Sequence, residues 1–245
     1  MIGVLARRAP VAKLGAACIL SIAALTTLNS VLLGSLALLA LLISPLFGLS
    51  PIGLLRRAWP ALAAAASAVI SLSLFAADRS GAVLLDFGPF LVTTSVLQTS
   101  LAYALRLLAL ALPAVLVYAT TEPTDLADSL VQHTKAPARF AIGALSAFRM
   151  VGLLTEEWRL ISMARRARGI DAGGNPLRWL RLFAGTAFGL LVGAIRRGTR
   201  LAQAMDARGF DAGIPRSVAR PIPFGPADWG LLLAAVGVLA VVVVR

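Results

Sequence analysis

The sequence predicts an all-α fold, with a polytopic membrane helical bundle and a charged region that contains two long helices. Hydrophobic residues make up 59% of the 245 positions and charged residues only 14%, against about 25% charged in a typical soluble domain. Residues 14–55 contain no charged side chain, whereas residues 125–220 hold 15 of the 23 basic residues. A soluble core cannot account for so many apolar residues, and the charge belongs to one region.

Five apolar stretches are predicted to cross the membrane, because about 20 mostly apolar residues span a bilayer as a helix. They lie at about residues 12–28, 31–49, 60–77, 100–118 and 228–244. The first of them follows Arg7, Arg8 and Lys13 and therefore resembles a secretory signal peptide. Its uncharged run exceeds the roughly 7 to 15 residues of a signal, so we interpret it as a retained first helix.

The charges between the spans predict that the N-terminus lies in the cytoplasm, since short cytoplasmic loops are enriched in Lys and Arg. In that orientation the basic residues near the N-terminus, Arg56, Arg57 and residues 122–227 are cytoplasmic. Arg79 is the one basic residue of the outer loop at 78–99, and Arg245 also lies outside. Arg106 lies seven residues into the fourth span, and snorkelling to the outer interface is favoured over pairing inside the bundle.

The first part of the charged region is predicted to be a short helix. Thr124 can cap its N-terminus, and Asp125 and Asp128 place negative charge at the positive end of the helix dipole. The helix must end before Pro137. His133 is the only histidine, and we expect it to be solvated or to cap a helix, with no metal site in the chain.

Two long helices should follow, over residues 138–168 and 177–208, separated by a Gly-Gly-Asn-Pro break at 173–176. The first has apolar residues at helical recurrence and would be about 45 Å long. The second carries small residues at four-residue spacing, which lets two helix backbones approach closely. This spacing predicts a helix crossing at Gly185, Gly189, Gly193 and Gly198, against the alternative that glycine is simply common in the chain.

Both long helices are predicted to end in the same motif. Residues 164–173 and 204–213 are identical at seven of ten positions, and each segment contains Ala-Arg-Gly. Gly169 and Gly209 suit the left-handed position just past a helix end. Arg168 and Arg208 are favourable near the negative end of the dipole. Helix termination explains one such ending, but the duplication suggests that the two arginines bind two similar partners.

At these residues the chain resembles the transmembrane T component of energy-coupling factor (ECF) ABC transporters. The motifs that carry the resemblance are the two signatures, Ala167-Arg168-Gly169 and Ala207-Arg208-Gly209, the 120–126 stretch, Phe148-Arg149 and Arg196-Arg197. The likeness covers about residues 118–213. It implies a cytoplasmic coupling domain of three helices, of which the last two are crossed long helices.

The resemblance also implies the partners and the mechanism. Each Ala-Arg-Gly signature would dock on one of two ABC-type ATPase subunits, as a homo- or heterodimer, and ATP-driven closure would move the crossed helices against a substrate-binding S component. Vitamins or metal ions would be the cargo, and the bacterial cytoplasmic membrane the location. ATP and Mg²⁺ are expected on the ATPases and no cofactor on this chain, which lacks a Gly-x-x-x-x-Gly-Lys phosphate loop.

The expected organisation is a transmembrane bundle of about four spans at 1–120, a coupling domain at 121–215, and a linker with a last transmembrane helix at 216–245. Other readings stay open. An ordinary ABC permease subunit is nearest in function. A membrane-anchored basic module would bind anionic lipid or nucleic acid with strong salt dependence, although seven acidic residues dilute its charge. A membrane enzyme is least favoured, since the chain has one His and one Cys, and we expect no catalytic residues.

Overall fold

The computed structural model describes residues 5, 8–75, 82–87, 90–210, 212, 218 and 220–244. Predictions that involve Arg7, Arg79, Asp211, Gly213 and Arg245 fall outside the described residues. The helices in chain order are α1 (Pro10–Thr26), α2 (Ser30–Ile43), α3 (Pro51–Arg57), α4 (Trp59–Phe75), α5 (Thr94–Thr120), α6 (Pro123–Thr134), α7 (Ala138–Ala167), α8 (Pro176–Ala207) and α9 (Pro226–Val244). The predicted all-α membrane fold class is confirmed.

The chain forms two compact units. The first contains residues 1–135 and 222–245, and the second contains residues 136–221. The predicted coupling domain begins at residue 121, whereas the observed division follows Lys135, so α6 belongs to the first unit. Contacts between α6 and α1 place it there.

Helix α5 is the centre of the first unit, where it packs against α1, α2 and α4. Many of the buried positions are alanines, such as Ala23, Ala24 and Ala109, and small side chains allow membrane helices to approach closely. Leu54 and Leu112 belong to a second cluster of buried residues. The predicted apolar spans therefore form one bundle around the fourth of them.

Among the described residues, five helices are long and apolar enough to cross a membrane: the α2 segment with its 3₁₀ extension (Ser30–Phe47), α5, α7, α8 and α9. Helices α3 and α4 together are also long and apolar enough, but the chain bends by 69° between them. The α3 helix was not predicted, and α1 is shorter than a typical span, at 17 residues. Helices α7 and α8, which the sequence predicts to be cytoplasmic, thus also have the length and composition of spans.

A β-hairpin precedes α5, where only a loop was predicted. Strands β1 (Val83–Phe87) and β2 (Phe90–Thr93) pair antiparallel, with Phe87 opposite Phe90 and an irregularity between Val83 and Leu85. The Val-Leu-Leu run of β1 favours a strand. This run is too short to be recognised from the sequence as a strand among the surrounding apolar spans.

One local prediction is corrected. Helix α6 begins at Pro123 with Glu122 as its cap residue, so Thr124 is not the cap, because proline suits the first helical position. Arg106 donates from Nε to the carbonyl of Ala24 at 3.1 Å and also to the carbonyl of Leu25. These are among the last carbonyls of α1, which lack helical partners, at the end of α1 that the sequence predicts to face outside, and snorkelling of Arg106 stays a prediction.

Candidate functional site

The end of α7 forms the first of two exposed helix tips, tip 1 (residues 164–170). Arg168 is the C-cap residue and Gly169 has φ +73°. The amide of Gly169 donates to the carbonyl of Arg166 at 2.9 Å, and that of Ile170 to the carbonyl of Arg165 at 2.9 Å. These two bonds are the Schellman pattern, which satisfies the last helical carbonyls.

The end of α8 forms tip 2 (residues 204–210) with the same geometry. Arg208 is the C-cap residue, with φ −89° and ψ 8° like Arg168, and Gly209 has φ +70°. The amide of Gly209 donates to the carbonyl of Asp206 at 2.9 Å, and that of Phe210 to the carbonyl of Met205 at 3.0 Å. The sequence prediction of left-handed glycines at both ends is confirmed.

Both signature arginines are exposed. Arg168 and Arg208, their flanking residues Ala167 and Ala207, and the glycines that follow are all accessible to solvent in the chain alone. An arginine at this position also complements the negative end of the helix dipole. Each tip therefore presents a guanidinium with planar donors on a fixed backbone, which suits a carboxylate or carbonyl cluster. The docking role of these residues remains a prediction.

The two tips lie at opposite ends of the α7–α8 pair. Arg165 of tip 1 contacts the first half of α8, at Leu182 and Thr186. Tip 2 is beside the start of α7, since Met205 and Arg139 line one groove. The helices are therefore antiparallel, and the tips are separated by roughly the length of α8, on the order of 45 Å at 1.5 Å per residue.

Polar contacts and one pair of tilted aromatic rings join α7 to α8. Arg165 Nη1 donates to the Leu182 carbonyl at 2.8 Å and to Thr186 Oγ1 at 2.5 Å. Glu157 and Arg197 form an ion pair between the helices. Trp158 and Phe183 pack with ring centroids 5.1 Å apart. Sequence reasoning did not find these contacts, because they depend on how two long helices are aligned with each other.

The predicted glycine crossing is corrected. A Cβ added at Gly189 or Gly198 would meet no atom within 4 Å. At Gly185 it would meet a guanidinium nitrogen of Arg165 at 3.7 Å, and at Gly193 that of Arg197 at 3.3 Å. The space beside these glycines is open or holds arginine side chains, so the four glycines do not bring the backbones of α7 and α8 together.

Most of the surface of this helix pair is unpartnered. No side chain of α7 is buried, and Thr186 and Leu190 are the buried residues of α8. Large apolar side chains are exposed along both helices, among them Phe140, Phe148, Leu180, Phe188 and Ile195. In water such a surface is unfavourable, which indicates contact with lipid or other proteins.

A polar network fastens α6 within the first unit. Lys13 Nζ donates to the Thr120 carbonyl at 3.0 Å, just before α6. His133 Nε2 lies 3.0 Å from the Ile222 carbonyl, and its ring packs against Phe224. His133 therefore contacts the segment that precedes α9. This contact takes the place of the solvated or helix-capping role that the sequence predicted. Within the described ranges, no group of three or more His, Cys, Asp or Glu is close enough to hold a metal ion.

Comparison with known proteins gives a consistent result. The family model CbiQ, described as cobalt transport protein, matches residues 3–218. The chain is 33% identical over 173 residues to the "Energy-coupling factor transporter transmembrane protein EcfT" of Exiguobacterium sibiricum, covering 66% of each chain. The protein of that name in Leuconostoc gelidum is 28% identical over 163 residues, 63% of this chain and 61% of its own length.

A third relative, the "Energy-coupling factor transporter transmembrane protein EcfT 1" of Listeria monocytogenes, is 29% identical over 163 residues. That alignment covers 63% of this chain and 60% of the relative. The chain thus spans between 60% and 66% of the length of these three proteins.

Proposed function

The chain belongs to the CbiQ family of multi-pass membrane proteins, and on that premise we propose that it is the energy-coupling transmembrane subunit of an ECF-type ABC importer. The matched relatives are named as transmembrane proteins of energy-coupling factor transporters. In this role the chain transmits the closure of two ATPase subunits to a substrate-binding S component, for uptake of a vitamin or a metal ion. It resides in the bacterial cytoplasmic membrane with a cytoplasmic N-terminus.

The observation that carries this proposal is the pair of equivalent tips. The same Schellman ending recurs after two long helices, with an exposed arginine at each, and the tips lie at opposite ends of an antiparallel pair. The two tips are some 45 Å apart, and a single protein interface of ordinary size does not reach both of them. Two separate ATPase subunits, each engaging one tip, fit this spacing.

The proposed mechanism uses the helix pair as a lever. Arg168 and Arg208 anchor to different ATPase subunits, which bind ATP and Mg²⁺ and carry out hydrolysis. When the subunits close, the anchored tips move with them. The interhelix bonds of Arg165 and the Glu157–Arg197 pair convert that movement into a change of crossing angle. The exposed apolar surface of α7 and α8 transmits this change of crossing angle to the S component and the surrounding lipid.

Alanine substitution of the signature arginines tests the proposal. Arg168→Ala or Arg208→Ala should weaken ATPase docking by about 2 to 5 kcal/mol if each arginine pairs with a desolvated carboxylate. The measurement is the amount of ATPase retained by the full chain after co-expression and purification in detergent. Membrane insertion should not change, because both side chains are exposed on helix tips.

Two exposed arginines away from the tips provide matched controls. Arg159 lies on α7 and Arg200 on α8, so Arg159→Ala/Arg200→Ala removes the same charge from the same helices. This variant should retain ATPase like wild type. Equal yields from wild type and Arg168→Ala/Arg208→Ala would contradict the proposal. If the loss of retained ATPase instead followed the total positive charge removed and retention depended steeply on salt, the result would favour the membrane-anchored basic module.

A further inference from the structure

Helix α8 has three faces that differ in chemistry. One face contacts α7 through Thr186 and Arg197. The second, the apolar stripe, consists of exposed residues that recur every three or four positions: Leu177, Leu180, Ala184, Phe188, Leu191 and Ile195. The third, the arginine face, carries four exposed arginines: Arg178, Arg181, Arg196 and Arg200. Since successive residues of a helix are about 100° apart, the arginine face lies directly beside the apolar stripe, and neither includes these contacts with α7.

The apolar stripe is highly exposed, and the uncharged part of α8 is shorter than a bilayer core. Leu177, Phe188 and Ile195 expose 67%, 69% and 61% of their surface, which is unfavourable in water. The uncharged run at 182–195 has 14 residues, or about 21 Å of helix, whereas the hydrocarbon core is about 30 Å thick. A spanning α8 would hold arginine inside that core at a high cost. A stripe of this kind instead suits a helix that lies in the plane of the membrane surface.

The arginine face has no internal source of negative charge. Its members form two pairs of neighbours on the helix surface, three residues apart at Arg178 and Arg181 and four apart at Arg196 and Arg200. Like charges at these spacings repel each other, and the only acidic residue of α8 is Asp206 in its last turn. Within the described part of the chain, none of the four is in an ion pair, whereas Arg197 is paired with Glu157. Each pair therefore suits an anion that comes from outside the chain.

We propose that α8 lies along the cytoplasmic surface of the bilayer and binds anionic phospholipid. The apolar stripe enters the boundary between headgroups and acyl chains, to a depth of about 5 to 10 Å. At that depth the adjoining arginine pairs meet lipid phosphates, whose oxygens match the planar donors of a guanidinium. The negative surface potential of anionic lipids draws these arginines to the membrane.

This position explains why α8 has the composition of a span and yet carries so much positive charge. A helix in the plane of the surface keeps both of its ends on one side of the membrane, so both tips stay in the cytoplasm. The inference goes beyond the proposed function, because it assigns the apolar stripe of α8 to lipid and does not depend on what binds the tips.

The test measures the depth of α8 in nanodiscs that contain the full chain. A cysteine placed in the apolar stripe as Ala184→Cys, with Cys18→Ala, carries an environment-sensitive fluorophore. The discs consist of phosphatidylcholine alone or with about 30% phosphatidylglycerol. Lipids with a quencher near the headgroup or at the bilayer centre report the depth of the fluorophore. With phosphatidylglycerol, the shallow quencher should act at least about threefold more strongly than the central one, and its effect should fall in phosphatidylcholine alone.

Arginine variants show whether the arginine face causes this contact. Arg178→Gln/Arg181→Gln and Arg196→Gln/Arg200→Gln each remove one pair. Each should lower the shallow quenching at least about threefold, since one arginine near an anionic surface favours contact about fivefold. The matched control Arg149→Gln/Arg159→Gln removes the same charge from exposed positions of α7 and should leave the quenching unchanged. Equal losses from all three variants would overturn the assignment to the arginine face.

Two results with the unsubstituted arginines would overturn the proposal without relying on the folding of any arginine variant. If the fluorophore stayed open to acrylamide in water in discs with phosphatidylglycerol, the apolar stripe would not enter lipid and would be free for a protein partner. If the central quencher acted most strongly, α8 would span the membrane. Neither result bears on the proposed function, which is tested separately by ATPase retention in detergent.

Discussion

At the scale of single residues, the best-defined feature is the glycine after each long helix. Gly169 and Gly209 have positive φ, a conformation that costs most L-residues roughly 1–2 kcal/mol. At Gly169 an added Cβ would meet no atom within 4 Å. The requirement for glycine at this position is therefore one of backbone conformation and not of space.

Gly169→Ala should lower the free energy of unfolding by about 1 kcal/mol, measured by thermal unfolding of the full chain in detergent. Gly169→Asn is the matched control, because asparagine tolerates the left-handed conformation better, and its effect should be smaller. If Gly169→Ala and Gly169→Asn lowered the free energy of unfolding equally, the left-handed backbone conformation would not be the cause of the loss.

Arg106 gives a second example at this scale. The side chain lies in an apolar span, and its guanidinium donates to two carbonyls in the last turn of α1. These carbonyls have no partner within their own helix, so the arginine satisfies two acceptors that the helix leaves open. The sequence could not show this, since Ala24 is 82 residues away.

At the scale of elements, α7 and α8 are held together by side chains and not by close backbones. The glycine spacing pointed to a tight crossing, but the structure leaves open space at Gly189 and Gly198. The Arg165 bonds, the Glu157–Arg197 pair and the Trp158–Phe183 ring contact join the helices instead. The contacts between α7 and α8 are therefore made by long side chains and not by these glycines.

Gly189→Ala/Gly198→Ala should therefore be tolerated. Each alanine should raise stability by about 0.5 to 1 kcal/mol, because glycine is unfavourable inside a helix, with no clash to oppose the gain. The measurement is again thermal unfolding of the full chain in detergent, beside wild type. A loss of stability would show that these glycines do make a close contact, and would restore the glycine crossing.

At the scale of the whole molecule, length and charge make different predictions for the side of the membrane that each tip occupies. Helices α7 and α8 are long and apolar enough to be spans, while their positive charge predicts a cytoplasmic position. Because the helices are antiparallel, two spanning helices would put the tips on opposite sides. Two cytoplasmic helices put both tips on the same side.

Labelling with a membrane-impermeant maleimide distinguishes these arrangements. In chains with Cys18→Ala, a cysteine at Ala167 or at Ala207 should react only after the cells are made permeable, because both tips should be cytoplasmic. A cysteine at Asn29 is the control and should react in intact cells, because Asn29 lies between the first two predicted spans and is therefore outside when the N-terminus is cytoplasmic. Reaction of one tip from outside would mean that the helices span the membrane.

The sequence by itself determined most of the long helices and the ends of α7 and α8. Uncharged runs predicted α1, α2, α4, α5 and α9, Pro137 and the 173–176 break predicted the limits of α7, and the repeated Ala-Arg-Gly predicted two endings whose Schellman geometry the structure shows. These features are local: they depend on hydropathy and on backbone preferences within a few residues. The family resemblance, carried by the same motifs, is also confirmed.

The tertiary structure alone decided what joins the elements. It placed α6 with the bundle, gave Arg106 its carbonyls, and replaced a glycine contact with arginine bonds between α7 and α8. It also put the two tips at opposite ends of one antiparallel helix pair. The physical reason is that such contacts link residues far apart in the chain, and their alignment is set by packing and not by any local pattern.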